Sequence, residues 1–283
     1  MPMKCLVLNH RNVLNMLPDR KPDSHKGDFG RILLLCGSVG YTGAAALAAM
    51  GALRCGAGLV FLAVPQSIYA IEAVKLLEPI VRPLPDENGM LSENAVSAVK
   101  DMLIGMDAVL IGPGLGQSKG TMAVLKTVLC EFDGPVVLDA DGINLLSGHT
   151  DLVRGRKAQT VLTPHPGEFA RIEGRPEMRE ESAADMARKL GAVIVLKGNN
   201  TIITDGETLY RNTSGNPGMA VGGSGDILAG MITALIGQGL SALYASACGV
   251  WLHGEAGDIC ASTMGQYGML PSDMLSVIPR LMK

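Results

Sequence analysis

The chain has 283 residues, 47% hydrophobic and 18% charged, a balance that excludes intrinsic disorder and suits one large α/β domain or two small ones. Its net charge of −3 gives no electrostatic footprint for a nucleic-acid partner. Met1–Arg11 carries no apolar leader segment, and the most apolar stretch, Thr42–Val64, is broken by Arg54 and four glycines, which argues against a membrane span.

In chain order, the first predicted strand is Ile32–Cys36, followed by the alanine-rich Gly43–Cys55, a helix whose small residues allow close approach to a sheet. Leu59–Val64 is the next strand, Pro83–Gly89 a surface loop, and Ser92–Met102 a helix opened by a serine. Strands Ala108–Ile111, Val136–Leu138 and Val161–Thr163 follow, and the charged stretch Glu173–Glu181 reads as a loop entering a helix. Val193–Leu196 and Thr201–Thr204 are the last strands, ahead of helices Ile227–Ile236 and Leu243–Cys260. Most of the strands are continuous apolar runs, as expected of parallel strands covered on both faces. Their alternation with helices implies βαβ crossovers and a mostly parallel central sheet with helices on both faces. No linker divides the chain and no internal repeat is visible, so a single domain over residues 1–283 is the simplest organisation.

The 36 glycines follow no collagen-like period and fit many tight strand-to-helix turns. None of the six cysteines forms a C-x-x-C pair, which argues against a zinc or dithiol site. Cys36 and Cys248 lie in apolar runs and read as small core residues, and a reducing, cytoplasmic setting follows as the expectation.

In an open parallel sheet, ligands bind beyond the carboxyl ends of the strands. The sharpest candidate is Gly215–Asp226, which runs through Gly222, Gly223, Ser224 and Gly225 directly into an apolar helix. Asp226 alone could be an ordinary cap, but a cap needs no glycines, whereas a phosphate cradle needs close backbone approach and the free N–H groups of a helix start. Beside a bound phosphate, that carboxylate can accept the proton of a hydroxyl attacking phosphorus.

Four further turns are candidates. In Leu162–Glu168 two prolines stiffen the turn around His165, and Glu168 either caps the next helix or holds Mg2+ through water. In Val195–Thr201, Lys197 is either an exposed hairpin lysine or a contact to nucleotide phosphates. Gly112–Gly116 and Gly37–Ala45 offer walls of small residues to a bulky ligand, or simple tight turns. Asp139 and Asp141 would point to opposite faces of a continued strand, which speaks against a joint metal role. There is no Gly-Lys dipeptide for a Walker A loop and no G-x-G-x-x-G, G-x-S-x-G or H-E-x-x-H.

Six segments in order, His25–Ala45, Ile111–Gly116, Leu138–Asn144, Leu162–Glu168, Val195–Thr201 and Asn212–Ile232, together resemble the ADP/ATP-dependent NAD(P)H-hydrate dehydratase family, the YjeF carboxy-terminal domain of the ribokinase-like superfamily. The resemblance implies a reaction: the hydroxyl on the hydrated ring of NADHX or NADPHX is phosphorylated from ADP or ATP, and phosphate is then eliminated. It implies Asp226 as base and substrate contact. It implies Lys197, Gly198, Asn199, Asn200 and Thr201 as the nucleotide-binding turn, with Gly225 and its neighbours Gly222, Gly223 and Ser224 beside the nucleotide. Ala45, Gly114 and His165 match positions lining the hydrated-cofactor pocket. ADP is the expected donor, with Mg2+, and a homo-oligomer, as in a tetramer, is the expected assembly.

Two departures stand out. Ser224 occupies a position where the family often has Thr, which keeps the hydroxyl. Many relatives carry an amino-terminal epimerase domain, yet few residues precede His25 here, so the expectation is a chain without epimerase activity that receives the S epimer from a separate enzyme. The nearest rival is a small-molecule kinase of the same fold, hydroxymethylpyrimidine or hydroxyethylthiazole kinase-like, using the same Asp226. A non-catalytic nucleotide-binding module would keep the glycines but have no need of Asp226.

Overall fold

The computed structural model describes residues 5–173 and 178–283. The strands are β1 (Cys5–Val7), β2 (Arg31–Leu35), β3 (Leu59–Pro65), β4 (Ile80–Leu84), β5 (Asp86–Glu87), β6 (Met90–Leu91), β7 (Ala108–Ile111), β8 (Val136–Leu138), β9 (Thr160–Leu162), β10 (Val193–Leu196), β11 (Thr201–Thr204) and β12 (Leu209–Asn212). The helices are α1 (His10–Leu14), α2 (Thr42–Arg54), α3 (Gln66–Lys75), α4 (Ala95–Leu103), α5 (Lys119–Glu131), α6 (Asp141–Asn144), α7 (Asp151–Arg154), α8 (Pro166–Glu173), α9 (Arg179–Leu190), α10 (Ser224–Gly237), α11 (Ala242–Met264) and α12 (Pro271–Leu281).

Ten strands form one sheet in the order β1-β12-β11-β10-β9-β8-β7-β2-β3-β4. All neighbours pair in parallel except β11, which is antiparallel to both β10 and β12. Successive residues of a strand feed opposite cores. Ile32 and Leu34 of β2 join the core under α2, α10, α11 and α12, while Leu33 and Leu35 join the one under α4, α5, α8 and α9. Burial on both faces is why the sequence reads as unbroken apolar runs rather than alternation.

From β2 the chain builds outward through β3 to β4, then returns to β7 on the other side of β2 and builds outward again. The strand order therefore reverses between β2 and β7, the point in such a sheet beyond whose carboxyl ends ligands bind. The Pro83–Gly89 stretch is a correction to the expected loop: Pro83 and Leu84 belong to β4, and Asp86–Glu87 pairs with Met90–Leu91 as a hairpin. Proline is tolerated because β4 is the sheet's edge strand, so its missing N–H breaks no ladder. The charged stretch entering α9 becomes helical at Arg179, and its residues 174–177 lie outside the described set. Cys36 and Cys248 are buried, and all six cysteines are free. Among the described residues, no helix is long and apolar enough to cross a membrane.

Candidate functional site

The anion-type turn is built by close helix packing. A Cβ on Gly230 of α10 would lie 2.0 Å from the Ala48 carbonyl oxygen of α2, and one on Gly51 of α2 would lie 2.5 Å from the Ile227 carbonyl oxygen. The two helix backbones thus touch, holding the start of α10 over the ends of the central strands. Gly223 caps α10 with φ 100°, a left-handed conformation suited to glycine, and a Cβ there would meet Leu47 at 2.4 Å. Gly222 has nothing within 4 Å of such a Cβ, so space alone does not demand glycine there. Among the described residues, the first-turn amides of Gly225 and Asp226 have no carbonyl partner. Ser224 is buried, and its Oγ lies 3.4 Å from Nε2 of His253 on α11. Burial pushes His253 down to about 4, so it is neutral near pH 7.

Beneath this turn lies a charged cluster contributed by three strand ends. Lys197, at the end of β10, donates to Asp139 Oδ1 at 2.7 Å and sits 3.8 Å from Glu168 Oε2. Asp139, at the end of β8 and almost fully buried, also accepts from Thr163 Oγ at 2.6 Å. A Cβ on Gly225 would stand 3.4 Å from Lys197 Nζ and 3.9 Å from Asp139 Oδ2, which places the start of α10 directly against this pair. Burial disfavours the Lys197 ammonium, but Asp139, Glu168 and Asp226 outweigh it and raise its pKa. Lys197 is therefore a paired cation at the site, not a solvated hairpin lysine. Asp226 is pushed up to about 6 by burial and then by Asp139, opposed by Lys197.

His165 is the local anchor of α8. Its Nδ1 accepts from the amides of Gly167 and Glu168 at 2.9 and 3.2 Å, while its own amide donates to Glu168 Oε2 at 2.8 Å. Half of the His165 side chain stays exposed, with Nε2 3.4 Å from Glu168 Oε1. Glu168 thus caps the turn and faces the Lys197 cluster together. Among the described residues, no three His, Cys, Asp or Glu side chains come close enough to enclose a metal ion.

The small-residue loops close the other side. Gly37 donates its amide to Pro113 O at 2.8 Å and Ser38 Oγ donates to Gly114 O at 2.7 Å, which ties the loop after β2 to the loop after β7. A Cβ on Gly114 would meet Tyr41 and Ala44 at 2.8 and 2.9 Å. Ala45 is fully buried beneath Gly37, so it shapes this wall through packing rather than through an exposed side chain. Asp141 makes its contacts away from Asp139: its Oδ2 accepts from the Gly116 amide at 2.9 Å and its Oδ1 from Gln117 at 3.1 Å. The cause is a reversal at Ala140, with φ 48° and ψ −116°, rather than a continued strand.

The turn Gly198–Asn200 is exposed and lies at the rim of the cluster, with Thr201 Oγ donating to Gly198 O at 2.9 Å. The predicted positions Lys197, Glu168, Gly225 and Asp226 converge, together with Asp139 and Thr163. Sequence reasoning left Asp139 in doubt and missed Thr163, His253 and Asp258, whose carboxylate accepts from the Gly215 amide at 2.8 Å and from Asn216 at 2.9 Å. The available signal was the polar spacing within the otherwise apolar α11, His253 and Asp258.

Comparison with known proteins identifies the family. Residues 32–280 match the family profile described as NAD(P)H-hydrate dehydratase. The bifunctional NAD(P)H-hydrate repair enzyme Nnr of Moorella thermoacetica is 42% identical over 298 aligned positions, covering 100% of this chain and 56% of the relative. The Escherichia coli enzyme of the same name is 37% identical, covering 94% and 50%. The chain thus spans about half the length of the curated relatives it matches. Among solved structures, the Bacillus subtilis ADP/ATP-dependent NAD(P)H-hydrate dehydratase, co-crystallised with ATP and Mg2+, superposes with a TM-score of 0.85 at 30% identity, over 99% of this chain and 98% of that one. A hydroxyethylthiazole kinase from Pyrococcus horikoshii shares the ribokinase-like fold at a TM-score of 0.65 and 16% identity.

Proposed function

Because the chain belongs to the NAD(P)H-hydrate dehydratase family, we propose that it uses ADP, or ATP, to dehydrate the S epimer of NADHX and NADPHX, restoring NADH and NADPH and releasing AMP (or ADP) and phosphate. One observation carries this reading: the 222–226 turn presents the Gly225 and Asp226 amides, without a partner among the described residues, and a carboxylate held near pKa 6 above the Lys197–Asp139 pair.

Asp226 takes the proton of the ring hydroxyl as its oxygen bonds to the terminal phosphorus and the phosphoanhydride bond breaks. The Gly225 and Asp226 amides and the Lys197 ammonium face the charge that grows on the transferred phosphoryl oxygens. Phosphate then departs where hydroxide could not, the neighbouring ring carbon gives up a proton to solvent, and the ring double bond re-forms. His165, Gly114 and the Ala45 wall border the hydrated ring in this reading, and residues 198–201 hold the nucleotide with Gly222, Gly223 and Ser224. Mg2+ would be carried by the nucleotide phosphates, and Glu168, beside Lys197, would reach it through water. Residues 1–283 act as one catalytic unit supplied by an NAD(P)H-hydrate epimerase activity. A cytoplasmic location and a homo-oligomeric state complete the proposal, the former supported by six free cysteines.

The test is incubation with hydrated NADH and ADP or ATP, following the absorbance of regenerated NADH and the release of phosphate. Stoichiometric appearance of both is expected. Accumulation of a stable phosphate ester without NADH would reassign the chain to small-molecule kinase chemistry.

A further inference from the structure

The turn joining β10 to β11 has an unusual division of its backbone groups. Every carbonyl from Leu196 to Asn199 is occupied by a donor within the chain. Arg179 Nη1 donates to Asn199 O at 2.7 Å, and Nη2 donates to Leu196 O and Lys197 O, both at 3.2 Å. The remaining carbonyl, of Gly198, is taken by Thr201 Oγ at 2.9 Å. The amides of Gly198, Asn199 and Asn200, by contrast, have no partner among the described residues, and these three residues are exposed. A backbone with its acceptors tied down on one side and its donors free on the other is a concave donor surface suited to phosphate or nucleotide oxygens.

One side chain does most of this work. Arg179 is the first residue of α9, where a cation opposes the helix dipole and would ordinarily be disfavoured. Its Nε is buried without a partner, a further cost that simple surface docking would not require. Gly198 has φ 139°, a conformation L side chains rarely adopt, and a Cβ there would crowd Arg179 Nη2 at 3.1 Å. A planar fork with donors on two nitrogens meets all three carbonyls from one position.

We propose that Arg179 is the positioning residue of the nucleotide turn: its guanidinium gathers the carbonyls of Leu196, Lys197 and Asn199 and thereby aims the 198–200 amides at the phosphoryl donor. The proposal rests on the nucleotide reading of that turn and adds the residue that preorganises it. Arg179 itself touches no reactant.

The test uses the full chain and compares Arg179→Met, Arg179→Lys and Gly198→Ala with wild type in steady-state kinetics, varying ADP and hydrated NADH separately. We expect KM for ADP to rise at least tenfold in Arg179→Met. KM for hydrated NADH and kcat at saturating ADP should stay within twofold of wild type. Arg179→Lys should recover only part of the loss, because an ammonium cannot span three carbonyls, and added guanidinium should recover part of it in Arg179→Met. Gly198→Ala should show the same ADP-selective defect by pushing the guanidinium away, which keeps the test open if Arg179→Met does not fold. An unchanged KM for ADP in both Arg179→Met and Gly198→Ala would overturn the clamp while leaving the proposed activity standing. An equal loss in kcat and both KM values, with a lowered Tm, would overturn it in favour of a scaffold role. A wild-type chain whose turnover is independent of any nucleotide would overturn the nucleotide reading and the clamp together.

Discussion

A carboxylate with a pKa of about 6 is mostly ionised at pH 7, and that ionisation works against folding. Asp226 binds its proton more tightly when folded than when unfolded, so its contribution to stability falls as pH rises from about 4 through 6 and stays low above that. At 1.36 kcal/mol per unit, discounted for partial exposure, the cost near neutrality is roughly 1–3 kcal/mol. Asp226→Asn should therefore raise Tm at pH 7.5 and leave it nearly unchanged at pH 4, while turnover falls by about 10²–10⁴ and nucleotide binding persists. Thermal melts at the two pH values together with single-turnover rates check this; activity within twofold of wild type would remove Asp226 as the base. For the same reason, wild-type kcat/KM should fall on the acid side with a midpoint near pH 6. Ala140 is the other residue under tension: a Cβ at φ 48° and ψ −116° is poorly accommodated. Ala140→Gly should leave Asp139 and Asp141 facing apart and raise stability by about 1 kcal/mol, read from urea denaturation. Destabilisation would mean that the Ala140 methyl contributes packing that exceeds the backbone relief. Asp226 was legible from sequence because its glycines are contiguous with it, whereas Asp139 was not, since its partners Lys197 and Thr163 lie 58 and 24 positions away.

At the scale of elements, the position of α10 follows from how closely it can approach α2. Gly230→Ala would bring a methyl to within 2.0 Å of the Ala48 carbonyl, with backbone on both sides and no flexible side chain to yield. Separation of the two helices should cost about 1–3 kcal/mol and lower kcat through a displaced Asp226. Gly222→Ala is the internal control, since a Cβ there meets nothing within 4 Å and should leave stability within about 0.5 kcal/mol. Equal melting temperatures for Gly230→Ala and wild type would show that helix spacing is set elsewhere. The expected helices over Gly43–Cys55, Ile227–Ile236 and Leu243–Cys260 match α2, α10 and α11 to within a few residues at each end. The strands the sequence did not reveal are β1, β4, β12 and the β5–β6 hairpin, and helices α1, α3, α5, α6, α7 and α12 were not read either. Edge strands and short ribbons carry little of the buried apolar signal that marks a central strand, and in the interior β12 two of four residues, Arg211 and Asn212, are polar.

For the whole molecule, the reversal of strand order around β2 and β7 collects the loops after β2, β7, β8, β9 and β10, together with the start of α10, at one rim of the sheet. If the donor binds the folded chain only, ADP at a hundredfold above its Kd should stabilise the protein by about 2.7 kcal/mol. Differential scanning with and without ADP checks this, and no shift in Tm at saturating ADP would count against the site. The three layers were legible in advance from apolar runs alternating with helical patterns. That β11 runs antiparallel between β10 and β12 was not, because a short apolar strand carries no mark of its direction.

The sequence by itself determined what depends on neighbours along the chain: the helix start at 222–226, the stiffened turn around His165, the wall of small residues, and strands apolar enough to be covered on both faces. Tertiary structure decided which distant groups meet: Asp139 with Lys197, Arg179 with the 196–199 carbonyls, and His253 with Ser224. The physical reason is that backbone propensity and hydrophobic period are written in contiguous residues, while the partner of a buried charge or a carbonyl depends on which strand ends the packed sheet brings side by side.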